Sequence, residues 1–167
     1  MGRSRSNQEA RFEKWQRLAT PGTRLLSTLV ASQLVPLLEA QGFRRVSHSL
    51  GQPDQPVSGR EIELERRAGE SVDTVTFNFD KYAAPRFQIQ LSRRSSEPPH
   101  AWVRSANLVR RPSQYLHFWG KPWWLPGALW SERASRRVVA NVEAALPSAL
   151  AFVDHGERSR HISRRVA

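Results

Sequence analysis

The sequence predicts an α+β fold. It expects one domain, with an antiparallel sheet of about five strands in meander order and N- and C-terminal helices packed on one face. Three observations predict it. Ser71 to Arg94 alternates apolar and polar residues with a period of two. Further strand-like runs on either side are joined by short segments of turn chemistry. Apolar stripes at spacings of three and four lie towards both ends of the chain. On these grounds residues 1–19 form a basic segment with a short helix, 20–156 the α+β domain, and 157–167 a basic, disordered tail.

Asn7 to Ala19 suits a short helix, with Phe12, Trp15 and Leu18 on one side. Thr20 can cap the next helix, with Pro21 in its first turn, where a missing N–H costs nothing. Leu26, Leu29, Val30, Leu34, Leu37 and Leu38 then make an apolar stripe. Pro36 must kink or divide that helix, and Ser32 could cap a second segment. Gly42 is a good stop, after which Phe43 can pack back on Leu38.

Strands are expected at Phe43 to Leu50, Arg60 to Arg66, the two arms of the Ser71 to Arg94 hairpin, and Ala101 to Val109. Gly51 to Gly59, Arg67 to Ser71 and Arg93 to His100 connect them. In the hairpin, Val75, Phe77, Phe79, Phe87, Ile89 and Leu91 form the row to be buried. Thr74, Thr76, Asn78, Gln88 and Gln90 form the opposite, polar row, which reads as an open face meeting water. Tyr115 to Trp130 holds four of the six Trp, but Gly120, Pro122, Pro126 and Gly127 keep it from being one regular element. Ser131 caps a last helix with Val138, Val139, Val142, Ala145 and Leu146 inward. Pro147 kinks or restarts that helix, and Gly156 ends it.

At 167 residues the chain can bury a sizeable core. The absence of cysteine excludes disulfides and thiolate metal sites, and fits a reducing cytoplasm, the expected location. The first sixteen residues lack the apolar core of a secretory signal. The longest apolar-rich run, Leu25 to Leu38, is interrupted by Ser27, Thr28, Ser32, Gln33 and Pro36, so no membrane span is expected. Net charge is +11, and +7 of it lies in residues 1–24 and 157–167. Arginine outnumbers lysine 23 to 3. Such ends suit a polyanion, although a solvated surface with basic termini explains them as well.

The order of features resembles the bacterial family catalogued as domain of unknown function 4304. The matching stretches are LVPLLEAQGFRR (Leu34 to Arg45), VTFNFDKYAAPRFQIQL (Val75 to Leu91) and the late helix ending LPSALAFVDHG (Leu146 to Gly156). The resemblance spans Ser32 to Gly156. It implies an α+β domain with no assigned activity, and so no catalytic residues to carry over.

No constellation announces catalysis. His48, His100, His117, His155 and His161 show no metal-ligand spacing. Asp54, Glu61, Glu63 and Glu65 loosely suggest a metal-dependent nuclease, but the lysine that orients the attacking water is missing. The three glutamates share a strand face and are expected to pair with arginines of neighbouring strands, as exposed pairs. Gly120-Lys121 lacks the frame of a phosphate loop, and there is no GxSxG elbow. The sequence leans away from an enzyme and calls for no cofactor.

The aromatic segment is the strongest binding candidate. Trp119, Lys121, Trp123 and Trp124, with Arg110 and Arg111 just upstream, are the expected partner-binding residues. Exposed Trp rings anchor protein partners. Rings beside cations also stack on bases, which makes nucleic acid or another polyanion the alternative ligand. Filling the gap between sheet and last helix is the commoner use of such rings, so their exposure decides between packing and binding.

Overall fold

Alternating apolar residues along Ser71 to Ser95 need a cover on one side only, and the helices provide it. The computed structural model describes residues 2–48, 56–110 and 117–164. The helices are α1 (Gly2–Leu18), α2 (Pro21–Leu29), α3 (Val35–Ala40) and α4 (Glu132–His155). The strands are β1 (Arg44–Arg45), β2 (Glu61–Ala68), β3 (Ser71–Phe79), β4 (Arg86–Ser95), β5 (Trp102–Leu108), β6 (Phe118–Gly120) and β7 (Ile162–Arg164). All seven form one antiparallel sheet in the order β1-β2-β3-β4-β5-β7, with β6 beside β4. The α+β class and the meander are as expected, with seven strands in place of five. The two additions are three-residue strands, too short to show an alternation of their own. One of them, β7, corrects the expectation of a disordered tail after Gly156. It pairs with β5 from Ala106 to Leu108, and the Val109 N–H donates to His161 O at 2.8 Å.

The expected apolar row is buried in full, joined by Ile62, Leu64, Ala106 and Leu108 on flanking strands. Against it pack α4, through Val139, Val142, Ala145, Leu146, Ala149 and Val153, and α2. The first helix joins the same core: Phe12 is buried, and Phe12 and Trp15 lie 5.8 and 5.3 Å from the Phe79 ring. Leu18, expected on that apolar side, is exposed at the end of α1.

Thr20 accepts from the Thr23 N–H and Ser131 from the Ala134 N–H, the caps expected of them. Pro36 neither breaks the helix nor makes Ser32 a cap. A π turn, Val30–Leu34, leads straight into α3, and the Val35 N–H reaches back to Val30 O. The wide turn relieves the clash a proline ring makes with the preceding turn. One extra residue rotates the following face by about 100°. That rotation brings Val35 inward beside Leu38 and leaves Leu37 outside the stripe in which it was expected. At Gly42 (φ +86°) the helix ends in a Schellman motif: the Phe43 N–H donates to Leu38 O, the Gly42 N–H to Glu39 O. Helix α4 continues past Pro147, which is exposed, to His155, so the expected restart does not occur.

One row on the helix-covered face is charged. Arg66, Asp73, Arg93 and Arg104 stand opposite one another on β2, β3, β4 and β5. Asp73 is fully buried and accepts from Arg66 and from Arg93 (Nε to Oδ1 2.6 Å). That hydrogen bond holds the Arg93 guanidinium above its usual pKa. The row grips the C-terminal end of α4. Arg104 donates to Phe152 O at 3.0 Å and Val153 O at 3.3 Å, Arg93 to Asp154 O at 3.3 Å, and Arg66 pairs with the Asp154 carboxylate. Cations thus meet the negative end of the helix dipole and satisfy carbonyls the helix leaves open.

Candidate functional site

The aromatic segment begins as a plug and ends as a projection. Trp119 is 2% exposed, and its indole N–H donates to Leu108 O at 2.8 Å. It belongs to the core, which corrects its assignment as a partner-binding residue. A hydrophobic ring next to a three-residue strand packs more readily than it projects. Strand β6 sets Gly120 (φ +127°) against Arg86 of β4. A Cβ there meets Pro85 O well inside contact distance and lies 2.6 Å from Arg86 Cα, so only glycine fits. The Lys121 N–H then bonds Pro85 O at 2.9 Å.

From that anchor the chain turns outward. The Lys121 ammonium donates to Pro122 O and Leu125 O, and the Leu125 N–H to Pro122 O at 3.2 Å. Lys121 therefore shapes the loop that its sequence role had it contact partners from. Trp123 and Trp124 lie inside this loop, 73% and 66% exposed. A 3₁₀ turn, Gly127–Leu129, follows, with Leu129 67% exposed. Trp130 returns inward: its N–H donates to Ser135 Oγ at 2.8 Å, and its ring packs at Gly22.

Three parts of the chain meet here. The Asp80 to Pro85 hairpin loop docks on the start of α2, with Thr20 and Thr23 donating to Ala83 O. Ala83 has φ +59°, a left-handed conformation held by these bonds. The start of α2, the hairpin loop and Lys121, Gly127, Ala128 and Trp130 line a cavity of about 560 Å³. Tyr82, at the loop tip and 76% exposed, lines it too. Among the expected residues, Arg110 is exposed just past β5, and Arg111 lies outside the described residues. Sequence reasoning missed Tyr82, Leu129, Trp130 and the α2 start, whose proximity arises only when the hairpin docks on the helix.

The opposite sheet face is polar, as expected, but it does not simply meet water. Glu63, Thr76, Gln90, Asn107 and Ser163 form one cross-strand row, and Glu65, Thr74, Ser92 and Ser105 the next. Glu63, Glu65, Thr74, Asn107 and Arg94 are buried. Glu65 pairs with Arg94 at 2.9 Å, the expected kind of partner in a buried rather than an exposed bridge. Asp54 lies outside the described residues, and among those described no three acids or histidines converge as metal ligands. No described helix is long and apolar enough to cross a membrane.

No family model, no curated protein and no solved structure matches this chain.

Proposed function

We propose that this chain is a non-enzymatic binding module that docks another protein on the surface formed by Trp123, Trp124, Tyr82 and Leu129. The observation that carries the reading is the exposure of Trp123 and Trp124 on a loop whose base is fixed. Rings that only fill a gap end up like Trp119. Large side chains in water on a preorganised support cost little to order on binding. The chemistry of the partner follows from charge. The hairpin loop through Arg86 and residues 118–137 carry six basic residues and two acids. Both acids, Asp80 and Glu132, are paired with Arg86 and Arg136. An apolar segment with acidic flanks complements that surface. We further infer a cytoplasmic setting from the cysteine-free composition, and membership of the domain of unknown function 4304 family, which brings no activity with it.

Selection of random displayed peptides on the full chain tests the reading. Enriched peptides are expected to share an apolar anchor flanked by Asp or Glu. Their affinity should fall at least about tenfold for Trp123→Ala/Trp124→Ala, the loss typical of interface anchors. Peptides that ignore the double variant, or no enrichment, refute it. The second reading, nucleic-acid or polyanion binding, draws on the +11 charge and exposed Arg110. It requires binding to mixed-sequence RNA or DNA that weakens steeply with salt.

A further inference from the structure

On the polar face, beside the hairpin loop, three cross-strand neighbours form a row: Asn78 on β3, Gln88 on β4 and Phe118 on β6. They floor a cavity of about 340 Å³ that shares only Tyr82 with the groove on the helix side. Arg60, Lys81, Tyr82 and the Asp80–Arg86 pair make its walls. The volume is near the lower end for small-ligand sites.

The lining has chemistry that nothing within it uses. Asp80 is spent: Oδ1 accepts from the Tyr82 N–H at 2.7 Å and Oδ2 from Arg86. Arg60 and Lys81 have no ion pair among the described residues. Arg60 reaches only Phe79 O, at 3.5 Å, and Lys81 sits 4.8 Å from the Tyr82 ring. Glu61, opposite Asn78 on β2, is not in the lining, and with it counted the surplus is still positive. The Asn78 and Gln88 amides make no side-chain hydrogen bond among the described residues. Half-buried and adjacent, each offers a donor and an acceptor into the cavity. Phe118 already has one cation against it, the Arg86 guanidinium 4.5 Å from its centroid. Two cations, two idle amides and two aromatic rings thus converge on one small space.

We propose that this cavity binds a small anion bearing a planar, hydrogen-bonding ring, the chemistry of a nucleoside monophosphate. Arg60 and Lys81 match the charge of a single phosphate. Asn78 and Gln88 hydrogen-bond the ring edge, and Phe118 and Tyr82 supply surfaces for its face. This site does not depend on the protein-docking reading.

Isothermal titration of the full chain with the four ribonucleoside 5′-monophosphates tests the proposal. Inorganic phosphate and the free nucleosides serve as part-ligands. At least one monophosphate is expected to bind about tenfold or more tightly than either of its parts. Arg60→Gln and Gln88→Leu should each weaken it about tenfold, the loss expected for a hydrogen bond to a charged or oriented group. Both variants should keep the far-ultraviolet circular dichroism of the parent. Trp123→Ala/Trp124→Ala should bind the monophosphate unchanged, which separates this site from the docking surface. Phosphate binding as well as its nucleotides, no saturation in the millimolar range, or indifference to both variants overturns the proposal.

Discussion

Asp73 is the residue on which the inner charged row depends. Its carboxylate is wholly buried: Oδ2 accepts from Arg66 and Arg93, and Oδ1 from Arg93. Removing it leaves two guanidiniums, each less than one-fifth exposed, with only the more exposed Asp154 carboxylate between them, 3.8 Å from Arg93. Breaking a buried pair from one side costs about 3–5 kcal/mol. Asp73→Ala is expected to lose that much in urea unfolding, and a loss below about 1 kcal/mol means the row is incidental. Replacement by Asn keeps the shape and a single acceptor, so its cost should fall between. Asp73 stands on the core-facing side, two residues before Val75, at a position where an aliphatic residue is ordinary. Only the register shows why a carboxylate is there.

Gly120 decides where the aromatic element points. Its φ of +127° and its contact with Pro85 and Arg86 exclude a side chain. Gly120→Ala is expected to cost about 2–4 kcal/mol, by backbone strain combined with a steric clash. It should also weaken peptides selected on the parent, because the loop with Trp123 and Trp124 starts at that crossing. Thermal melts, followed by titration well below the variant's midpoint, measure both effects; a variant as stable as the parent removes the argument. Most elements of this kind were legible in the sequence. Caps at Thr20 and Ser131, the stop at Gly42 and the hairpin arms each carry a local chemical signature. The π turn was not legible, since it comes from Pro36 acting on a continuing helix rather than ending it. Strands β6 and β7 were hidden for another reason. Three residues pair because their neighbours are already in place, which no window of sequence records. The site was half legible: Trp123 and Trp124 could be named, but their separation from Trp119 by burial could not.

Across the whole molecule, the two ends of the chain complete one core. Phe12 closes it from the N-terminal side, and β7 extends the sheet from the C-terminal side. A chain ending at Gly156 loses three ladder positions and the packing of Ile162, worth about 2 kcal/mol. For a protein of this size that lowers the midpoint by roughly 4–8 °C. A tail free of the fold would leave it unchanged, and calorimetry distinguishes the two. The socket for the end of α4 has a further consequence, for synthesis rather than stability. Arg66, Asp73, Arg93 and Arg104 all precede residue 132, so a ribosome delivers the socket before the helix that fills it. Translation that stops between the two releases a sheet lacking the part of its cover that α4 supplies, and three arginines lacking their helix. Such a fragment exposes apolar surface together with guanidiniums that lack their carbonyl acceptors until the last helix is made.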